Sequence, residues 1–470
     1  MKAACAKTSP FPKIFPSRRI GARPRLRRIN VRLTLRRFAD EFARMISSAR
    51  CFAVLVFTGL LLFRAGAADW PQWRGPFRTG HVPAGVAVPA SLPAEPKVLW
   101  RVKAGEGFAS PVVAAGKVFL FDNQEGKETL RALRVDDGHE LWRAVIDDTF
   151  KDGISPPGTR GTPLVDGARV YAQSCKGELH CLDVADGKKI WGVNFTKDFG
   201  AVFIGEKGQA PGATRHGNTG QPIIDGDLMF VSVGSTNGAG MVCFDKATGR
   251  VVWKAQNEIA AYAAPMIATV AGRKQIVNFM ADAVLGLDRE TGQLLWRFPV
   301  KTAFARHVTT PVILDDMVVV SSHQVGLMGL KVSRVGEKFK VEQAWLSKEG
   351  AMNFSSPVAV GDALYGLGPA KNIVCIDMPT GKTLWSKDGW ITTSADKAHA
   401  SFIVMGKNIL MLTDGGLLVL FAADPAACRE VSRAQICGAN WCNPAYVDGT
   451  LFVREGLKTT GELLRVALRP

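Results

Sequence analysis

The chain has 470 residues, of which 21% are charged, and a formal net charge of +17. Residues 1–50 hold three Lys and eleven Arg against Asp40 and Glu41, so twelve of the seventeen net positive charges lie there. The rest of the chain is only mildly basic, and this removes the main support for nucleic-acid binding.

Targeting signals occupy the N-terminal part of the chain. Residues 51–63 form a mainly apolar run that is too short for a comfortable membrane span, and the small residues at 65–68 suit cleavage. We predict a signal peptide at 45–67 that begins at Met45, preceded at 1–44 by a basic leader or a mis-called upstream extension. The mature chain is then exported to the periplasm or cell envelope and keeps no stable membrane span.

An irregular lead-in follows at residues 68–97, where Trp, Pro and Gly are frequent. Such a composition suits a segment lying on the surface of a folded domain and does not suit a strand. We expect Trp70 and Trp73 to be packing anchors rather than a ligand platform.

From residue 98 onward the chain is built from repeats. In each copy a Gly follows an Asp by four residues, and a Trp follows the Gly by four more. The copies are Asp183, Gly187 and Trp191; Asp245, Gly249 and Trp253; Asp288, Gly292 and Trp296; Asp377, Gly381 and Trp385; and, without the acid, Arg134, Gly138 and Trp142. Repeats at this spacing are typical of propellers and solenoids.

A second signature, a Pro followed by apolar residues and a Gly or Asp turn, fixes the number of units. It occurs at Pro111, Pro163, Pro222, Pro265, Pro311, Pro357 and Pro444, with a degenerate version at 402–406. Eight units of roughly 40 to 50 residues, each with four short strands, predict an all-β, eight-bladed propeller of antiparallel blades over residues 98–470.

The ends of this region predict how the ring closes. The eighth unit has no Trp strand after it, whereas residues 99–102 form a Trp strand with no unit before it. The N-terminal strand should therefore complete the last blade, which leaves no open sheet edge.

The Ser-Pro-Val-Val pattern, the Gly turns and the Asp, Gly and Trp spacing resemble the pyrroloquinoline-quinone (PQQ)-type β-propeller repeat. The lead-in resembles that of exported bacterial propellers in the same superfamily, and the resemblance covers about residues 69–470. It implies relatives as different as quinoprotein alcohol dehydrogenases and the propeller lipoprotein of outer-membrane β-barrel assembly, so it fixes the fold and leaves the function open.

Candidate ligand-binding residues lie just before the repeated prolines, because these segments meet at one end of a propeller channel. They are mainly basic and aromatic: Arg160, Arg215, His216, Tyr262, Arg306, His307, Asn353, His399 and Trp441. Such a ring would favour an anion. The alternative is a solvated rim in which these side chains bind one another and water. An Arg-His pair occurs in two units, which makes Arg215-His216 and Arg306-His307 the most suggestive candidates.

The same residues argue against catalysis. The resemblance implies that active quinoproteins hold calcium with carboxylate and amide oxygens, use an Asp base and often carry a disulfide between adjacent cysteines. This chain has no Cys-Cys pair, and its candidate residues include no carboxylate. We therefore assign no catalytic residue, metal or cofactor.

The function that we predict is that of an exported binding module for an anionic small molecule, a glycan or a partner protein. The alternative is a PQQ- and calcium-dependent oxidoreductase.

Export permits disulfides, so the cysteines need separate treatment. Cys181, Cys243 and Cys375 each precede a repeat Asp by two residues and are expected to be buried thiols. Cys437 and Cys442 are the best disulfide candidates, although their spacing does not fix the geometry.

Overall fold

The computed structural model contains eight sheets of four antiparallel strands among the residues that it describes. Those residues are 69–151, 155–205, 211–322, 324–394, 397–456 and 460–469. The predicted leader at 1–44 and signal peptide at 45–67 lie outside them. The predicted eight-bladed propeller is confirmed.

The first four blades follow one another along the chain, each running from the inner strand to the outer strand. Blade 1 contains β2 to β5: Val112–Ala114, Lys117–Gln124, Lys127–Arg134 and Glu140–Asp148. Blade 2 contains β6 to β9: Leu164–Asp166, Arg169–Gln173, Glu178–Asp183 and Lys189–Asn194. Blade 3 contains β10 to β13: Ile223–Asp225, Leu228–Ser235, Ala239–Asp245 and Val251–Ala255. Blade 4 contains β14 to β17: Met266–Val270, Arg273–Phe279, Ala283–Asp288 and Leu294–Pro299.

Blades 5 to 7 repeat the same order. Blade 5 contains β18 to β21: Val312–Leu314, Met317–Ser322, Gly326–Val335 and Lys338–Ser347. Blade 6 contains β22 to β25: Val358–Val360, Ala363–Leu367, Ile373–Asp377 and Thr383–Lys387. Blade 7 contains β26 to β29: Ala400–Met405, Asn408–Thr413, Leu417–Ala422 and Glu430–Gln435. Two short helices, α1 and α2, lie in the long connection between blades 2 and 3, at Phe195–Phe199 and Ala213–His216.

Blade 8 is made from both ends of the repeat region. It contains β30 to β32, Ala445–Val447, Thr450–Glu455 and Gly461–Ala467, together with β1, Val98–Ala104. The outer strand β1 pairs antiparallel with β32, and Trp100 lies opposite Arg465. The two ends of this region are therefore joined in one sheet.

The contacts between neighbouring blades explain the repeated Asp, Gly and Trp. Asp183 accepts the backbone N–H of Ala185 in its own turn. Trp142 of blade 1 donates from its indole N–H to the carbonyl of Val184, at 3.1 Å, and packs on Gly187 in that turn. The same indole-to-turn bond occurs five more times, from Trp100, Trp191, Trp253, Trp345 and Trp385. Each Trp therefore fastens its blade to the next.

Trp296 at the end of blade 4 is the exception. Blade 5 keeps Trp345 but lacks the Asp and Gly of the turn, and its β20 and β21 form a hairpin of ten residues on each side. Trp296 is 4% exposed and donates instead to the side-chain oxygen of Gln275, at 2.7 Å, within its own blade. The interblade bond is thus absent at the junction of blades 4 and 5.

One prediction follows from the indole hydrogen bonds. Trp142→Phe keeps an aromatic ring beside Gly187 but removes the N–H that the carbonyl of Val184 accepts. We expect a loss of about 1 kcal/mol in the free energy of unfolding, the usual net contribution of one hydrogen bond. Urea denaturation followed by circular dichroism measures it. Trp296→Phe is the comparison, because its loss should weaken one blade internally rather than the junction of two. An unchanged midpoint for Trp142→Phe would contradict the proposed role.

The hydrophobic core lies between blades rather than within a single sheet. Between blades 1 and 2, for example, Phe119 and Phe121 pack in one cluster with Val170 and Leu182. Cys181, Cys243 and Cys375 are fully buried free thiols in such clusters, as predicted.

The lead-in crosses one end of the channel. Trp70, 2% exposed, forms an antiparallel bridge with Val113 of blade 1. Further along, Arg78 donates to the carbonyls of Gln221 and Pro265, at 3.1 and 3.2 Å, and to that of Pro222. Arg74 donates to the carbonyl of Pro357. These carbonyls belong to blades 3, 4 and 6, so two arginines of the lead-in hold the inner ends of three blades together.

Candidate binding site at the channel mouth

The segments before the repeated prolines enclose a cavity of about 230 Å³, here called the mouth cavity. Six of the nine predicted residues line it: Arg160, His216, Tyr262, Arg306, His399 and Trp441. Arg215, His307 and Asn353 do not belong to its lining. Ligand binding by these three residues stays a prediction, and their positions outside the lining do not support it.

Trp441 is the centre of an aromatic cluster in this cavity. Its ring lies 5.0 Å from that of Phe354, 5.6 Å from Phe108 and 5.7 Å from the imidazole of His399, measured between centroids. Phe108 precedes blade 1, Phe354 precedes blade 6 and Trp441 precedes blade 8, so three connections contribute to one apolar surface. Such aromatic groupings provide large contact areas with little side-chain entropy to lose.

Two arginines carry positive charge into the wall of the mouth cavity. Arg160 is 8% exposed, donates to the carbonyl of His216 at 2.7 Å and lies over the ring of Phe150. Arg306 lies over Phe354, with its guanidinium carbon 5.2 Å from the ring centroid. Guanidinium groups favour stacking on aromatic faces, and this contact holds the charge of Arg306 against the aromatic cluster.

The two Arg-His pairs are not equivalent. Arg215 and His216 lie on α2, where His216 lines the cavity and Arg215 stacks over Phe304. In the second pair the order reverses, because Arg306 lines the cavity and His307 is fully buried. The His307 ring stacks on Phe279 at 4.1 Å, and its Nε2 lies 3.1 Å from the carbonyl oxygen of Ala281.

A ring of hydroxyl groups forms a deeper layer of the cavity that we did not predict. The residue immediately before each of the seven repeated prolines lines the cavity, and in blades 1, 2, 5 and 6 it carries a hydroxyl group: Ser110, Thr162, Thr310 and Ser356. Ser110 N–H donates to the Thr162 hydroxyl at 3.1 Å, and Thr310 N–H donates to the Ser356 hydroxyl at 3.1 Å. The recurrence of Ser or Thr before Pro is visible in the sequence and would have revealed this ring.

Trp73 also lines the mouth cavity, which the sequence did not predict. Although predicted as a packing anchor, it is only partly buried and lines the mouth cavity, whereas Trp70 packs as expected. Arg74 lies over the Trp73 ring at 5.4 Å. The lead-in therefore contributes to the cavity as well as to the junction of the blades.

Burial changes the ionisation of three groups in or behind the cavity. It lowers the pKa of His399 to about 4, so this imidazole is neutral at pH 7. It raises the pKa of Tyr262 to about 12, and the Tyr262 hydroxyl donates to the Gly212 carbonyl at 2.6 Å. Behind Arg160, burial raises the pKa of Glu128 to about 7, against the hydrogen bond it accepts from the N–H of Cys175.

Cys437 and Cys442 flank this aromatic cluster as free thiols. The sulfur of Cys442 lies 3.5 Å from the carbonyl oxygen of Phe108, and that of Cys437 lies 3.8 Å from the amide nitrogen of Asn440. The disulfide predicted between them is not formed in this structure.

The donor set does not fit the calcium and PQQ of active quinoproteins. No Asp or Glu occurs among the described residues of the cavity lining. The part of the chain that the structure describes also contains no cluster of three or more His, Cys, Asp or Glu side chains placed to hold a metal. Calcium in active quinoproteins needs carboxylate oxygens as well as amide oxygens, whereas this wall presents guanidinium groups, imidazoles, rings, hydroxyls and the amides of Gln221 and Asn443.

Comparison with known proteins identifies the family. The family profile PQQ_2, described as outer membrane protein assembly factor BamB, matches residues 90–202 and 126–387. The chain belongs to this BamB family. The predicted relationship to PQQ-type propellers is thereby confirmed, and the protein is exported to the periplasm or cell envelope.

Individual BamB relatives are distant. The chain is 23% identical over 294 residues to BamB of Shewanella oneidensis, covering 62% of this chain and 66% of the relative. It is 26% identical over 152 residues to BamB of Xanthomonas campestris pv. campestris, covering 31% and 30%. The alignments thus span just under two thirds of the first relative and under one third of the second.

A solved BamB structure shares the fold. BamB from Moraxella catarrhalis superimposes with a TM-score of 0.53 at 17% identity, covering 80% of this chain and 98% of that one. No helix among the described residues has the length and apolar character needed to span a bilayer.

Proposed function

We propose that this BamB-family propeller is a non-catalytic interaction module of the cell envelope that binds a partner protein at its mouth cavity, in the assembly of outer-membrane proteins. The observation that supports this most is the cluster of Trp441, Phe354 and Phe108 beside Arg306. Trp, Tyr and Arg dominate the binding energy of protein interfaces, where they sit in partly closed pockets. The name of the family supports the setting of outer-membrane protein assembly.

The size of the cavity favours a protein anchor over a cofactor. Its volume of about 230 Å³ is below the roughly 300–1,000 Å³ of typical small-molecule sites. One large side chain of a partner can enter such a cavity, while the rest of the partner rests on the surrounding loops. A fused-ring quinone with its metal would need more room and the oxygen ligands discussed above.

A small anion or an acidic glycan is the second candidate for the same cavity. The guanidinium groups of Arg160 and Arg306 in the wall favour it, because both carboxylates and phosphates bind arginine through paired hydrogen bonds. Aromatic rings beside a charged group also suit sugars with acidic substituents.

The test compares two aromatic truncations. Phe354→Ala removes a ring that contacts both Trp441 and Arg306, whereas Phe77→Ala removes a ring that is 65% exposed on the lead-in and does not line the mouth cavity. The partner is first identified by cross-linking in envelope extracts, then purified and titrated by calorimetry. We expect Phe354→Ala to weaken binding by about 2 kcal/mol, or roughly thirtyfold, as for a central interface residue. Phe77→Ala should leave binding unchanged.

Equal affinities of the two variants would remove the mouth cavity as the partner site. Acidic oligosaccharides and inorganic phosphate, titrated in the same way, decide for or against the second candidate. Reconstitution with PQQ and calcium, followed by a dye-linked alcohol oxidation assay, should give no activity. Oxidation at a rate above the apoprotein's would overturn the non-catalytic proposal.

A further inference from the structure

A larger cavity of about 620 Å³ lies at the opposite end of the channel and is here called the lower cavity. Its lining comes mainly from the inner strands of blades 3 to 6 and from the lead-in. The lead-in thus separates two cavities, with Trp73 in the lining of the mouth cavity and Gln72 and Arg74 in that of the lower one.

The walls of the lower cavity are apolar. Seven apolar side chains of the inner strands belong to its lining: Ile223, Ile224, Met266, Ile267, Val312, Ile313 and Leu314. Phe77 stands at its edge and is 65% exposed. Its volume falls within the roughly 300–1,000 Å³ of small-molecule sites, which are mainly apolar with a few polar groups.

The polar groups of this cavity carry an excess of positive charge. Arg74 and Arg78 line it, are 4% and 0% exposed, and form no ion pair with an acid among the described residues. The acid in the lining, Asp225, is already paired with Arg289 and with Lys274, the latter at 2.6 Å. Buried charges are ordinarily paired, so two unpaired guanidinium groups beside an apolar cavity call for an anion.

The two arginines differ in the donors that remain. Arg78 uses Nε, Nη1 and Nη2, all of which donate to Gln72 or to backbone carbonyls. Arg74 donates only from Nη2, to the carbonyls of Thr79 and Pro357. Its Nε and Nη1 form no hydrogen bond with a described residue. Neither nitrogen is completely buried. Arg74 can therefore receive an anionic head group without giving up a bond.

We propose that the lower cavity binds a long-chain fatty acid, with its carboxylate at Arg74 and its alkyl chain along the inner strands β10, β14 and β18. The carboxylate supplies the missing charge, and the apolar wall supplies the surface that an alkyl chain needs. The site is independent of the partner site proposed at the mouth cavity.

Sodium laurate is the probe, used below its micelle-forming concentration and titrated into the purified exported chain by calorimetry. Saturable one-to-one binding is expected. Decanoate, with two fewer methylene groups, should bind about tenfold more weakly, because each buried methylene contributes about 0.8 kcal/mol. The neutral analogue 1-dodecanol should bind at least about tenfold more weakly than laurate, because it cannot form the charged hydrogen bonds at Arg74.

Two variants place the binding in the lower cavity. Ala268→Phe fills the space beside β14, and Ala185→Phe is the matched control on an exposed turn of blade 2. We expect Ala268→Phe to weaken laurate binding at least about tenfold and Ala185→Phe to leave it unchanged. Arg74→Gln should remove the preference for laurate over dodecanol; if that variant does not fold, Ala268→Phe still decides the site.

Three outcomes would overturn the proposal: no saturable binding of laurate, equal binding by the two phenylalanine variants, or equal binding of laurate and dodecanol by the unmodified chain. Equal binding of laurate and dodecanol would mean that the lower cavity is an apolar site in which the arginines play no part.

Discussion

Replacing Gly187 by alanine should lower the free energy of unfolding by about 2–4 kcal/mol. Gly187 has φ +74°, a left-handed backbone that costs a residue with a Cβ about 1 kcal/mol or more. A Cβ there would also lie 2.5 Å from the ring of Trp142, and overpacking of this kind adds about 1–3 kcal/mol. The ring cannot withdraw freely, because its N–H is bonded to Val184 in the same turn.

Gly167 provides the control within the same blade. It also has a positive φ, +57°, but nothing lies within 4 Å of a Cβ built on it. Gly167→Ala should therefore show the backbone cost alone, about 1 kcal/mol. Urea denaturation of both variants separates the two contributions. If the two variants lose the same stability, the contact between Trp142 and the turn does not restrict this glycine.

The contact just described also explains why the fold was predictable from sequence. A Trp, the Gly on which it packs and the Asp that closes the turn recur in several blades, since most junctions repeat the same geometry. The spacing of Asp183, Gly187 and Trp191 thus reflects interblade contacts. Where blade 5 lacks the turn, the sequence shows the gap but not its consequence, which is the bond of Trp296 to Gln275.

The mouth cavity was predictable only in part. Residues before a repeated Pro were expected to meet at the channel, and Arg160, Tyr262 and Trp441 all line the mouth cavity. Which of two adjacent side chains faces the cavity depends on local backbone direction, and sequence adjacency carries no information about it. His307 shows this, since it turns away to stack on Phe279 while Arg306 lines the cavity.

The role of the lead-in could not be derived from the repeats at all. Trp73 and Arg78 occur once, so no second copy reveals their position relative to the channel. Arg78 donates hydrogen bonds to carbonyls of blades 3 and 4, which lie far from it along the chain. In addition, Arg74 and Arg78 adopt φ +62° and +59°, a conformation that local propensity disfavours for arginine. Tertiary contacts decide both features, and only the structure shows them.

Two buried groups, Glu128 and His399, should make opposite contributions to the stability of the protein between about pH 8 and pH 5. The pKa of Glu128 is raised to about 7, above its ordinary 4.5, so the folded protein binds a proton that the unfolded chain releases. Its contribution is fully present below about pH 4.5 and is lost as the pH rises through 7. The pKa of His399 is lowered to about 4, below its ordinary 6.5, so the unfolded chain is protonated first. Its contribution is lost as the pH falls from 6.5 toward 4.

Single variants should separate these slopes. Glu128→Gln removes the first contribution, and we expect its free energy of unfolding to fall by about 2 kcal/mol from about pH 8 to pH 5. His399→Phe keeps a ring beside Trp441 but removes the second, so its free energy of unfolding should rise by about 2 kcal/mol over the same interval. The remaining titratable groups are common to both variants, and their effect cancels when the two curves are subtracted. Urea denaturation at several pH values measures the curves, and parallel curves for the two variants would contradict the opposite roles of these buried groups.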